Sequence, residues 1–203
     1  MHEVMEFWHK YKIKLILVSP LLLIMLGMLL PAKTIIPVED ATRHDWNHLT
    51  FWDNRWGRSG VHKGIDIFAN VNRPVISATP GIVIFKGERK LGGNTVAILG
   101  PRWRIHYYAH MKEIKTGFLS FVHQKEVIGT VGRSGNARNK PPHLHYSILS
   151  LVPYPWRWDN SMQGWKKSFF LDPTVQLLPK HRIRIAGTNK RQKSGKKLAK
   201  NVY

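Results

Sequence analysis

The sequence predicts an all-β domain behind a short apolar N-terminal segment, and three observations carry that prediction. From about residue 46 to 178 the chain is a series of short β-type runs, at 74–78, 81–85, 95–99, 104–109, 126–131 and 143–149, separated by Gly, Pro and Asn. No long 3.6-residue periodicity follows the N-terminal segment. Residues 15–30 form an apolar run broken only by Ser19, Pro20 and Gly27.

In chain order, residues 1–14 are a basic flank containing Lys10, Lys12 and Lys14. Positive charge before an apolar run keeps the N-terminus in the cytoplasm and sends the rest across the membrane. Residues 15–30 are therefore expected to be one N-terminal transmembrane helix, although the run is short against the usual ~20 residues and the lower limit of roughly 17. A cleaved signal peptide is the competing reading. The candidate cleavage site, Leu30-Pro31-Ala32, lacks a small residue at Leu30, so an uncleaved signal-anchor is expected. Residues 31–45, with Pro31, Pro37, mixed charge and no periodicity, read as a linker, and 46–178 as the β-domain. Within it, 151–170 holds Trp156, Trp158 and Trp165 among prolines and basic residues. This reads as a surface loop pinned by aromatic anchors, or as one wall of a groove. The tail, 179–203, carries nine Lys or Arg from Lys180 onward and no acid. It is expected to be disordered and solvated, and to serve as an electrostatic tether to anionic wall polymer or lipid.

The 203 residues allow one domain with a real core. The absence of cysteine excludes a disulfide scaffold, Cys-ligated zinc and an acylated lipoprotein anchor. A formal net charge of +20 draws the chain to polyanions. Nucleic acid is one such class, but no nucleic-acid motif is present and the export direction argues against it, so no specific nucleic-acid partner is expected.

The chemistry concentrates in His62-Lys63-Gly64-Ile65-Asp66 and His143-Leu144-His145. Two imidazoles and a carboxylate can hold zinc and leave its fourth position open for water, the arrangement of a catalytic site. On a β-strand, His143 and His145 point to one face and Leu144 to the other. One of the pair can bind metal while the other stands beside it as acid or base. Gly64, between proposed ligands, implies close backbone approach or an unusual φ. Gly132, Gly135, Pro141 and Pro142 should form a rigid loop leading into His143. His106 shares strand parity with Tyr108 and His110 and is expected to be structural.

These blocks, followed in order by Tyr108-Ala109-His110 and the late His-x-His, resemble the LytM/lysostaphin-type (M23) zinc metallopeptidases that cut peptide links in peptidoglycan. Intervening segments agree: Ser77-Ala78-Thr79-Pro80-Gly81-Ile82-Val83, Gly92-Gly93-Asn94-Thr95-Val96-Ala97-Ile98, the stretch from Gly129 to Pro142, and Leu171-Asp172-Pro173. The similarity covers roughly residues 50 to 175, and ordered blocks are more specific than a lone motif. The resemblance implies a mostly antiparallel sheet domain of the LytM/lysostaphin type (a duplicated hybrid motif) with Zn2+ at the bottom of a groove. It implies His62, Asp66 and His145 as metal ligands, and His110 and His143 as the paired catalytic histidines. Ser147 stands where many members carry an acid, which alters the surroundings of the metal without removing a ligand.

The expected activity is zinc-dependent hydrolysis of peptide bonds in peptidoglycan stem or cross-link peptides. Histidine suits the proton transfers because its pKa lies near neutrality. His143 is expected as general base beside His145, with His110 orienting the water or stabilising the oxyanion; the residues alone leave these two roles interchangeable. A direct cross-link is the expected target over glycine bridges, because no separate wall-targeting module is evident. The expected location is the bacterial cell envelope, single-pass in the inner membrane, with the domain in the periplasm or outside the membrane. The alternative is a non-catalytic module of the same fold that binds wall or activates another wall hydrolase. Such modules typically lose ligands, and every ligand position is kept here.

Overall fold

The computed structural model describes residues 2–55 and 59–178. The basic tail expected from 179 onward lies outside the described residues. Helix α1 (His2–Leu29) precedes a sheet of β1 (Ile65–Phe68), β2 (Pro74–Ile76), β3 (Gly81–Arg89), β4 (Gly93–Gly100), β5 (Arg104–Ile114), β6 (Phe121–Val122), β7 (Val127–Val131), β8 (His143–Ser150) and β9 (Phe170–Leu171). A one-turn helix, α2 (Pro173–Leu177), follows. Asp172 caps it by accepting from the Thr174 amide, and Pro173 occupies its first turn, where no amide donor is needed.

Every strand pairing among the described residues is antiparallel. The main path runs β1-β8-β5-β4-β3-β6. β7 joins β5 to β2, and β9 flanks β8. β5 is the hub because its first half pairs with β4 and β8 while its second half turns to β7. The core gathers Ile65, Ile67, Val75, Val96, Ile98, Tyr108, Met111, Ile128, Leu144, Tyr146 and Ile148, all fully buried. Two tyrosines are tolerated there where the hydroxyl finds a partner: Tyr108 accepts from the Ala78 amide at 3.0 Å, and Tyr146 lies 2.6 Å from His106 Nδ1.

Part of the stretch expected to be a linker packs against the sheet. Val38 bridges Val75, Ile35 donates to the Ala78 carbonyl, and the Pro37 carbonyl accepts from Ile76. Val38 and Trp46 belong to the core. Proline lacks a donor but keeps its acceptor, so it fits a sheet edge, and Ile36 and Val38 find apolar surface there.

α1 extends through the apolar run, yet among the described residues no helix is long and apolar enough to cross a membrane. The single-pass span expected over 15–30 is therefore unsupported. A run of about 16 residues rising ~1.5 Å each covers about 24 Å, against a hydrocarbon core of about 30 Å. The end of α1 is instead clasped by the turn before β5: Trp103 Nε1 donates to the Ile24 carbonyl at 3.0 Å and Arg102 Nε to the Leu30 carbonyl at 3.1 Å. Gly27 makes room, because any Cβ there would collide with the Trp103 indole.

Candidate metal centre

β1 and β8 set the site. Asp66 pairs directly with His145 across the two strands, and His145 pairs on its other side with Ala109 of β5. The two-residue period turns His143 and His145 to the face shared with Asp66, while Leu144 and Tyr146 enter the core. His62 arrives from the loop before β1. Its backbone is tied to Trp52 and Asp53, and its side chain is buried. Gly64 lets this loop lie against β8: a Cβ there would sit 2.4 Å from the Tyr146 carbonyl oxygen and 2.9 Å from Ser147 Cβ. Close approach, not an unusual φ, is what requires glycine.

Three ligand-type atoms converge. His62 Nε2 lies 3.1 Å from Asp66 Oδ1 and 3.1 Å from His145 Nδ1, and His145 Nδ1 lies 2.8 Å from Asp66 Oδ1. Among the described residues this trio is the one His/Asp group whose donor atoms all fall within 4.8 Å of each other. Tetrahedral zinc with bonds of about 2.0–2.1 Å sets its ligand atoms about 3.3–3.4 Å apart, so the donors need move little to hold it. Proton bookkeeping points the same way. The Thr50 carbonyl, 3.2 Å from His62 Nδ1, only accepts, so Nδ1 must carry the proton. Without a metal, a hydrogen bond from Nε2 to Asp66 needs a second proton on the ring; with one proton only, Nε2 would turn a lone pair toward the carboxylate. A cation at the centre resolves that conflict, and a carbonyl holding the far ring nitrogen is the usual support of a metal-binding histidine.

Asp66 is nearly buried, which alone would raise its pKa. Hydrogen bonds from His145 and His62 outweigh that and hold it well below the usual carboxylate range, so it is ionised. Burial lowers His145, although Asp66 beside it pulls the other way.

His143 and His110 stand next to this cluster. His143 Nε2 is 3.9 Å from Asp66 Oδ2, and its Nδ1 faces the Pro141 carbonyl at 2.8 Å. The His110 ring centre lies 5.0 Å from that of His143 and 6.0 Å from that of His145, with Nδ1 facing the Ser134 carbonyl at 2.9 Å. Both carbonyls require N–H at Nδ1, which leaves the lone pair at Nε2 in each ring. Burial, then the neighbouring His145 and His143, push His110 down to about 4.

Strand parity alone would turn His110 inward with His106 and Tyr108. His110 instead has φ of +64°, at the bulge where β5 leaves β8 for β7. That kink swings its ring to the site face. His106 keeps the regular parity, is buried against Tyr146, and is pushed down to about 3 by burial and the Arg104 charge. The residues that orient the site histidines, Thr50, Pro141 and Ser134, act through backbone carbonyls, and no side-chain signal marks them. The Gly92–Asn94 turn is part of the same support: the Gly92 carbonyl accepts from the His110 amide, and the Asn94 amide donates to Ser134 Oγ.

The tryptophans of 151–170 are not anchors. Trp156, Trp158 and Trp165 are exposed. The loop is pinned by Trp52 donating to the Met162 carbonyl and Gln163 donating to the Ser59 carbonyl.

The model of peptidase family M23 matches residues 60–153, a span that contains all five site residues. The chain is 37% identical over 132 residues to the L-Ala–D-Glu endopeptidase of Bacillus subtilis strain 168, covering 56% of this chain and 40% of that protein. It is 36% identical over 95 residues to the peptidoglycan DD-endopeptidase ShyC of Vibrio cholerae, covering 46% of this chain and 21% of that one. The chain thus spans less than half the length of these relatives. A crystal structure assigned as a glycyl-glycine endopeptidase LytM of Ruminococcus gnavus superposes with a TM-score of 0.53 at 25% identity, over 71% of this chain and 59% of the other. The shared antiparallel sheet and the family match agree over the same span: residues 60–153 match peptidase family M23.

Proposed function

We propose that the chain is a zinc-dependent endopeptidase that hydrolyses peptide bonds in peptidoglycan stem or cross-link peptides. The observation that carries this reading is the convergence of His62 Nε2, Asp66 Oδ1 and His145 Nδ1, with two further histidines beside them. The names of the relatives support the substrate class. In this reading His62, Asp66 and His145 hold the metal. Zinc, when bound, supplies Lewis-acid polarisation of the carbonyl and acidifies water toward neutral pH.

The protein's own groups do the rest. His143, with Nδ1 held by the Pro141 carbonyl, takes a proton at Nε2 and returns it to the leaving amine. His110 is kept neutral by burial and keeps its lone pair at Nε2, so it accepts a hydrogen bond from the attacking water and fixes its direction. An oxyanion would need N–H at that atom, so orienting the water is the role that suits it. The domain extends over 46–178, with 31–45 packed along its edge.

The same reading puts the domain in the cell envelope, with the apolar half of α1 seated in a lipid bilayer. Leu21, Leu22, Leu23, Ile24, Met25 and Leu26 are consecutive and all exposed, so the helix is apolar on every side there. The basic tail serves as a further tether to anionic polymer or lipid.

The test is digestion of purified peptidoglycan by the full chain, with and without a zinc chelator, and mass spectrometry of the released fragments. Chelator-sensitive products with one cleaved peptide bond are expected, and they name that bond. A folded, zinc-loaded protein that releases nothing defeats the proposal.

A further inference from the structure

The strand ends sort the molecule into two poles. β3 begins, β4 ends, β5 begins and β8 ends at one pole: Gly100 pairs with Arg104, Arg104 with Ser150, and Ile82 with Leu99 and Phe121. α1 leaves from this pole through its contacts with Arg102 and Trp103, and Lys33 just after it is held by Gln124. The site histidines lie toward the opposite pole. His110 is six residues along β5 from Arg104, about 20 Å at ~3.3 Å per residue.

The α1 pole is unusually apolar for an exposed surface. Phe118, Leu119 and Phe121 are 62%, 65% and 57% exposed, and Ile82 beside them 43%. Leu151, whose amide donates to the Trp103 carbonyl, is exposed beside the α1 clasp, and Trp156 is exposed a few residues further along the chain. The 117–120 turn is held open, not collapsed. Leu119 has φ of +61°, its amide donates to the Val83 carbonyl, and Ser120 Oγ closes the turn on the Gly117 carbonyl. A bulky residue at positive φ is a strained position that the surroundings must enforce. Arg102 and Trp103, which grip α1, share that backbone state. Lys33 is exposed and Arg102 half-buried at the same pole.

We propose that this pole is a bilayer-seating surface. The Ile82/Phe118/Leu119/Phe121 tip and Leu151 with Trp156 enter the interface of an anionic membrane around the point where α1 enters it, and the catalytic cleft is held pointing away. This rests on the reading that α1 is seated in lipid. Lipid is the occupant because the apolar surface of α1 runs all the way round and continues onto the pole. A second copy or a groove-bearing protein would cover one side only. Exposed aromatic residues beside basic ones fit the headgroup level, where both are favoured.

The chain has no cysteine, so single labels report cleanly. Leu22→Cys, Leu119→Cys, Trp156→Cys and Lys90→Cys variants of the full chain, Lys90 lying in the turn at the distal pole, would carry an environment-sensitive fluorophore. Each would be mixed with phosphatidylglycerol/phosphatidylethanolamine vesicles containing nitroxide lipid. Blue-shifted, lipid-quenched emission at 22, 119 and 156, with 90 unchanged, is the expected result. Lipid contact at 22 with 119 and 156 behaving like 90 overturns the seating surface and leaves the anchor. No lipid contact at 22 overturns the anchor reading, and the seating surface with it. Blue-shifted emission at 119 and 156 without vesicles, unquenched by lipid, would mean that another copy covers the pole, and would overturn the proposal.

Discussion

Asp66 is the residue on which the site turns. It is the one carboxylate among the converging donors, and it touches both His62 and His145. His62→Ala or Asp66→Ala should therefore remove bound zinc and activity together, read by metal analysis and peptidoglycan digestion of the same sample. His143→Ala should keep most of its zinc while turnover falls about a hundred- to ten-thousand-fold, the usual scale of a lost general base. If His143→Ala lost its metal and His145→Ala did not, the two roles would have to be exchanged. The spacing of His62 to Asp66 and of His143 to His145 was readable because it is a pattern of side-chain types. The carbonyls of Thr50, Pro141 and Ser134 were not, because any residue supplies the same carbonyl and only the fold aims it.

At the scale of elements, β8 followed its alternation and β5 did not. His143 and His145 share a face because a regular strand imposes it. His110 joins them only through the bulge, and nothing in Tyr108-Ala109-His110 alone announces a positive φ. β1, β6 and β9 lie outside the runs picked out in the sequence, being two to four residues long and paired only by distant partners. Gly64 is the element-level test. Gly64→Ala puts a methyl against the Tyr146 carbonyl and should destabilise the fold by about 1–3 kcal/mol, as overpacking does. It should weaken zinc binding as well by pushing His62 and Asp66 away from β8. A denaturant midpoint and metal affinity both equal to wild type would show that the close approach is dispensable.

For the whole molecule, buried His106 makes stability depend on acid. His106 is neutral in the fold and pushed down to about 3, against an ordinary 6.5. Between those values the unfolded chain binds a proton that the folded chain refuses, so stability rises with pH. It should be fully present above pH 6.5 and be lost progressively toward pH 3, by an amount on the order of a few kcal/mol. Metal-free thermal melts across this range check it, with His106→Gln as the comparison. The variant should show a shallower acid loss, and an identical slope would mean that His106 is not the group responsible.

Sequence by itself determined the antiparallel β class, the family resemblance and which five residues to propose for the site. Those are properties of residue type and spacing, which local periodicity and ordered motifs express directly. Only the tertiary structure decided that 31–45 packs along the sheet edge, that His110 turns to the site face while His106 turns inward, and that the exposed tryptophans of 151–170 anchor nothing. Each of these depends on which distant strand lies alongside, and on backbone torsions that long-range pairing imposes on residues whose local preferences point elsewhere.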